Sequence, residues 1–178
     1  MFHLFKRKKI SSTECVDIIE GIVYEHLKPS GFRKHGRTLH RFVEKDISQV
    51  INFQNGCPQK GVYDILWINI GIRVPECAEK KFVISEPMKK YYHEYECNIR
   101  TRLGSLVDGE DTFYDLGKRP KKIAADIIDR IKKYVIPVFD VLNSREAILL
   151  YRANYPSFDQ FANHIILLEE AMIYGRSG

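Results

Sequence analysis

An α+β fold, an antiparallel meander sheet with an N-terminal helix and C-terminal helices packed on it, is predicted by three features of the sequence. Residues 47–55, 63–74 and 97–105 alternate apolar and polar side chains with the period of two of an extended strand. Residues 12–28 and 120–142 instead repeat their apolar residues at helical spacing. The strands cluster ahead of the C-terminal helices without alternating with them, which argues against a doubly wound parallel sheet.

Lys6, Arg7, Lys8 and Lys9 stand in a first decade without an acidic residue. Residues 1–11 are therefore expected to be a basic flexible tail, of which 1–10 are dispensable for folding, and 12–175 a single domain. Ser11-Ser12-Thr13-Glu14 has the form of a capping box, and Cys15, Ile18, Ile19, Ile22, Val23 and Leu27 follow at helical spacing. Pro29 cannot extend the ladder and Gly31 accepts a left-handed turn, so the helix ends there. Residues 32–34 and 38–43 read as short strands around Gly36.

The next strands set the polarity of the sheet. Leu66, Ile68, Ile70, Ile72 and Val74 fall on one face of a central strand; Tyr63, Ile65, Trp67, Asn69, Gly71 and Arg73 fall on the other. Residues 47–55 repeat the arrangement, with Ile47, Ile51 and Phe53 opposed to Val50, Asn52 and Gln54. Pairing the two through Asn55-Gly56 sets Asn52, Gln54, Trp67 and Asn69 side by side. Residues 75–95 carry no clear period. A strand from residue 97 puts Cys97, Ile99, Thr101 and Leu103 on one face and Asn98, Arg100 and Arg102 on the other. A further strand over 112–116 follows the acidic loop Asp108-Gly109-Glu110-Asp111.

From Pro120 one stripe holds Ile123, Ile127, Ile128, Ile131, Tyr134, Val135, Val138 and Leu142. Pro137 lies inside it and is expected to kink or break the helix near Lys133. Asn143-Ser144-Arg145-Glu146 is a second capping-box candidate, opening a short helix through Ala153. A last helix starts at Pro156-Ser157 and ends before Gly175.

Gly31-Phe32-Arg33-Lys34, Val50-Ile51-Asn52-Phe53-Gln54, Ile68-Asn69-Ile70-Gly71-Ile72, Arg102-Leu103-Gly104 and Ile136-Pro137-Val138-Phe139 occur in the order found in a bacterial family, domain of unknown function 4304. The chain resembles that family from about residue 12 to 150. The resemblance implies a small single-domain cytoplasmic protein and brings no assigned activity, cofactor or catalytic residue. Phe113-Tyr114 stands where the family has an aromatic pair rich in Trp.

At 178 residues, 44% hydrophobic and 29% charged, the chain suits one globular domain with a real core. The net charge of +5 comes from the tail: 28 basic residues less its four leaves 24 against 23 acidic. A nearly neutral body disfavours nucleic acid, which needs clustered charge on the fold itself. No window reaches the roughly 20 apolar residues of a membrane span. Cys15, Cys57, Cys77 and Cys97 lack metal-ligand spacing and read as free thiols of a cytoplasmic protein.

No phosphate-binding glycine loop or nucleophile elbow is present. His93-Glu94-Tyr95-Glu96-Cys97 reads as a polar strand entry and Asp108, Glu110 and Asp111 as a turn, so neither cofactor nor metal is expected. The polar sheet face is the place where chemistry gathers: Asn52, Gln54, Trp67, Asn69, Arg100 and Arg102 combine an aromatic, amides and guanidiniums suited to carboxylate or phosphate. The reading this favours is a non-catalytic module binding a protein partner or small acidic ligand, immunity-type neutralisation of a toxin being one form. The alternative is an enzyme acting on a small anionic or phosphorylated substrate with Arg100 and Arg102 as anion clamps. Whether C-terminal helices cover this face is left to the structure.

Overall fold

The structure, a computed structural model, describes residues 10–56, 64–75, 89–117, 119–163 and 165. Helix α1 (Ser12–Leu27) is capped as its sequence predicts: the Ser11 side chain accepts from the Glu14 amide and the Glu14 carboxylate accepts from the Ser11 amide. Its core-facing stripe is rotated from the expected one. Cys15, Val16, Ile19, Glu20, Val23 and Leu27 are buried, whereas Ile18 is exposed and Ile22 only half-buried. Counting apolar residues alone hid this, because Glu20 lies on the buried side, with Lys34 3.3 Å away.

Strands β1 (Arg33–His35), β2 (Thr38–Val43), β3 (Ile47–Gly56), β4 (Ile65–Arg73) and β5 (Ile99–Arg102) form an antiparallel meander in chain order, and β6 (Tyr114–Asp115) also pairs with β4. Asn55 and Gly56 are not the hairpin turn; they remain in β3, opposite Leu66 and Ile65. The four residues are nevertheless side by side as expected, with Asn52 opposite Asn69 and Gln54 opposite Trp67.

Leu66, Ile68, Ile70, Ile72 and Val74 lie in the core cluster with Ile51 and Phe53 of β3, Ile19 and Val23 of α1, and Ile127 and Ile131 further along the chain. The helical period from Pro120 is cut as Pro137 requires, but by widening rather than breaking: α3 (Pro120–Arg130) passes into a π-helical turn over Ile131–Val135 and then α4 (Ile136–Val141). Pro137 has no amide to donate to Lys133, and the Ile136 amide donates one residue further back than in an α-helix, to Ile131.

One polar residue does structural work the alternation concealed. Gln49 shares the apolar face with Ile47 and Ile51 and is fully buried. Its Nε2 donates to the carbonyls of Phe139 (2.5 Å) and Leu142 (3.2 Å), satisfying groups at the end of α4 that no helical amide reaches. Helix α5 (Arg145–Asn154) is capped by Ser144, one residue later than expected, and residues 158–163 are helical. The tail to residue 9, Cys57, Cys77 and Gly175 fall outside the described residues.

Candidate functional site

The residues after Arg102 depart most from the expected strand. Leu103–Asp108 form a short helix, α2; Leu103 still fits the apolar alternation, and the chain turns away after it. Strand β3 occupies one edge of β4, so β5 and β6 share the other. Extending the β5 register by one residue sets Leu103 opposite Ile68; extending β6 sets Phe113 opposite Trp67. Residues 104–112 are thus an excursion from a single edge strand, and its two ends meet where Gly104 packs on Thr112.

At this interruption the six sequence-predicted residues come together. Arg102 lies opposite Asn69, with its guanidinium over the Trp67 ring at 4.8 Å. Phe113 meets the Trp67 edge at 6.2 Å. Arg102 can only donate, so the atom of Asn69 facing its Nε, at 3.3 Å, is the amide oxygen. The Asn69 nitrogen is thereby aimed at Gln54 Oε1 (2.9 Å) and Asn52 Oδ1 (3.3 Å). Asn52 in turn donates to the Arg37 carbonyl and to Thr38 Oγ1. The relay spends the acceptors of both inner amides and leaves Gln54 Nε2 as a donor at the surface. Asn69 is buried and Gln54 exposed, so Asn52, Asn69 and Trp67 support the site from beneath while Gln54, Arg100 and Arg102 border solvent. These three line a cleft of about 270 Å³ with Asn69, Glu94 and Thr101.

Each arginine has an acidic partner that sequence reading missed. Arg100 Nε donates to Glu94 Oε1 at 2.6 Å, and Arg102 Nη1 bonds Asp111 Oδ2. Neither pair follows a helix or strand period, since Glu94 sits in a 3-10 turn (Glu94–Glu96) and Asp111 in the excursion; the only available signal was the density of acids in both stretches. Asp108 of the same acidic loop is also engaged: it accepts from Thr112 Oγ1 (2.7 Å) and Arg130 Nη1 (2.8 Å), bonds that hold its carboxyl below the usual range.

Among the described residues, 89–98 and not the C-terminal helices cover the adjoining part of this face. Tyr91 stacks on His35 with ring centroids 3.5 Å apart, and Tyr92 lies 3.9 Å from the Arg73 guanidinium. Cys97 belongs here rather than with Ile99 on the apolar face, because Asn98 bends the chain before β5 and brings the thiol against Gly71. A Cβ at Gly71 would lie 2.7 Å from Cys97 Sγ. Burial above all pushes this thiol up to about 12, so at neutral pH it is a protonated packing group and not a nucleophile. Glu96 accepts from the His93 amide and pairs with Lys89, while His93 stacks against Tyr95. The stretch 93–97 is thus a pinned turn instead of a strand entry.

His40 lies under this cover, and burial, reinforced by His35 and Arg33, pushes its pKa down against the opposing influence of the Lys90 backbone. A histidine depressed in the folded state stabilises nothing by protonation; stability is full above the unfolded value of about 6.5 and falls as pH drops through the lower folded value. Denaturation between pH 8 and pH 5 is expected to show this acid loss, shallower in His40→Gln. Equal slopes in the two proteins would exclude His40 as its source.

Fold and cleft define an α+β protein with a meander sheet whose polar face carries an arginine-lined depression. The chain belongs to the family described as domain of unknown function (DUF4304), whose model matches residues 23–141, from within α1 to the end of α4 and across every residue of the cleft. No curated protein and no solved structure matches it. No helix among the described residues is long and apolar enough to cross a membrane.

Proposed function

We propose that this is a non-catalytic cytoplasmic binding module whose cleft takes an anionic, acceptor-rich group from a protein partner or small acidic ligand. The observation that carries the reading is the sign of the unused hydrogen-bonding capacity. Nη1 and Nη2 of Arg100, Nη2 of Arg102 and Nε2 of Gln54 are donors without a protein partner among the described residues, and they outnumber the acceptors left over on the two carboxylates, Glu94 Oε2 and Asp111 Oδ1. Charge-assisted bonds from guanidinium to an oxyanion are the strong ones available to such a surface. Binding is favoured over catalysis because both carboxylates at the cleft are already paired with a guanidinium. The free buried thiols Cys15 and Cys97 accord with a reducing compartment.

Arg102→Ala tests the reading. It leaves the buried Asn69 oxygen without its donor, which is expected to cost about 1–3 kcal/mol, while Asp111 is resolvated. Amide shifts at Gln54, Arg100 and Arg102 on titration with glutarate are expected in the native protein and about tenfold weaker binding in the variant. Identical binding by both proteins, or no shift at the cleft with any anion, would remove the site.

A further inference from the structure

The ligand can be specified further, on the premise that the cleft binds anions at all. Its charges balance in the free protein: Arg100 faces Glu94 and Arg102 faces Asp111. The two carboxylates are held very differently. The Glu94 side chain is only 13% exposed and lies in the turn that the Glu96 bond to the His93 amide fixes. The Asp111 side chain is 52% exposed, and Arg102 is its only partner among the described residues.

The excursion that carries Asp111 does not depend on that contact. Asp108 ties it to Thr112 and, through Arg130, to α3, and Gly104 packs directly on Thr112. Asp111 can therefore turn to water with the loop in place. Arg100 and Arg102, two residues apart on one strand face, stand roughly 7 Å apart, close enough for one small group to meet both.

We propose that Asp111 is a built-in occupant of the site and that the natural ligand group is a carboxylate, which replaces Asp111 on Arg102 and also reaches the unused nitrogens of Arg100 and Gln54. Exchange of carboxylate for carboxylate preserves the charge balance. A phosphate dianion would set an additional negative charge beside Glu94, which stays in place, and is disfavoured by that repulsion. The carboxylate belongs either to an acidic side chain of a protein or to a free small dicarboxylate.

The test compares the full chain with Asp111→Asn and Asp111→Ser, titrated with glutarate, with an end-blocked glutamate-containing tripeptide, and with inorganic phosphate. Unfolding midpoints verify that both variants fold. Both variants are expected to bind the carboxylate probes about threefold to tenfold tighter than the native chain, the gain from removing a partly exposed internal competitor. Phosphate is expected to bind each protein more weakly than either carboxylate probe. Tighter binding of the peptide assigns the side-chain source; tighter binding of glutarate assigns the free acid. Carboxylate binding that is unchanged or weakened in both variants would overturn the exchange and leave the binding module intact. Phosphate binding tightest would overturn the ligand class, and absence of any anion binding at the cleft would overturn the underlying reading and the exchange with it.

Discussion

Ile70→Ala is expected to lower the unfolding free energy by about 2–5 kcal/mol, the range for deleting a buried aliphatic side chain. Ile70 sits mid-strand in β4 with Ile51 of β3 opposite it on one side and Thr101 of β5 on the other, and it is fully buried. The cavity cannot close cheaply. Paired backbones fix the separation of the strands, and the helical residues above are themselves buried in the same cluster. The loss is read from the shift in denaturant midpoint at constant slope. Because Ile70 and the cleft lie on opposite faces of β4, glutarate binding is expected to be unchanged while the protein is folded. A midpoint equal to that of the native protein would mean that the helices do not rest on this face.

The face assignment was legible because β4 alternates without a break, and a side-chain period of two admits only one choice of inner face when five alternate positions are aliphatic. The matching face of β3 was legible for the same reason, since Ile51 and Phe53 continue the alternation, whereas parity leaves the register free to slip by two residues. What alternation could not reveal is where it stops. Leu103 satisfies a strand and a helix equally well, so the end of β5 was invisible, and with it the fact that Phe113 resumes the same edge. Cys97 looked like a member of the apolar face because parity was carried through a bend at Asn98. Gln49 and Glu20 were invisible for a different reason: a polar residue on an apolar face is explained only by its partner, and those partners lie 90 residues away in one case and on a neighbouring strand in the other.

The candidate site divides along the same line. Asn52, Gln54, Trp67, Asn69, Arg100 and Arg102 were placed on one sheet face by strand parity, and the structure brings them together there. Their separation into a supporting layer and a bordering one required the hydrogen-bond directions, which follow once Arg102 is known to face Asn69. Trp67 illustrates the difference. Sequence placed an aromatic on the polar face without its exposure; its ring face is taken by Arg102 and its Nε1 is buried. Glu94 and Asp111 decide the charge of the cleft, and both come from irregular segments whose placement depends on tertiary contacts.

Gly104→Ala is expected to cost about 1–3 kcal/mol or more and to disturb the cleft from a distance. A Cβ at this position would lie 2.5 Å from the Thr112 amide nitrogen and 2.4 Å from its Oγ1, so the clash is with backbone and no rotamer relieves it. Alanine gains roughly 0.5–1 kcal/mol over glycine within a helix, which offsets only part of the overpacking. The excursion must then separate at its base, moving Asp111 and Phe113, the two neighbours of Thr112. Those residues touch Arg102 and Trp67 respectively. Trp67 is the chain's single tryptophan, so its fluorescence reports the displacement directly. A lowered midpoint together with a changed Trp67 emission in the folded protein is the expected result. Gly109 in the same excursion provides the control: its φ of +72° strains an alanine, but no atom lies within 4 Å of the added Cβ. Gly109→Ala should therefore cost about 1–2 kcal/mol through the backbone alone, with Trp67 emission unchanged. A Gly104→Ala protein with native stability and native emission would show that the ends of the excursion are not in contact, and that Asp111 reaches Arg102 from a loop free to move.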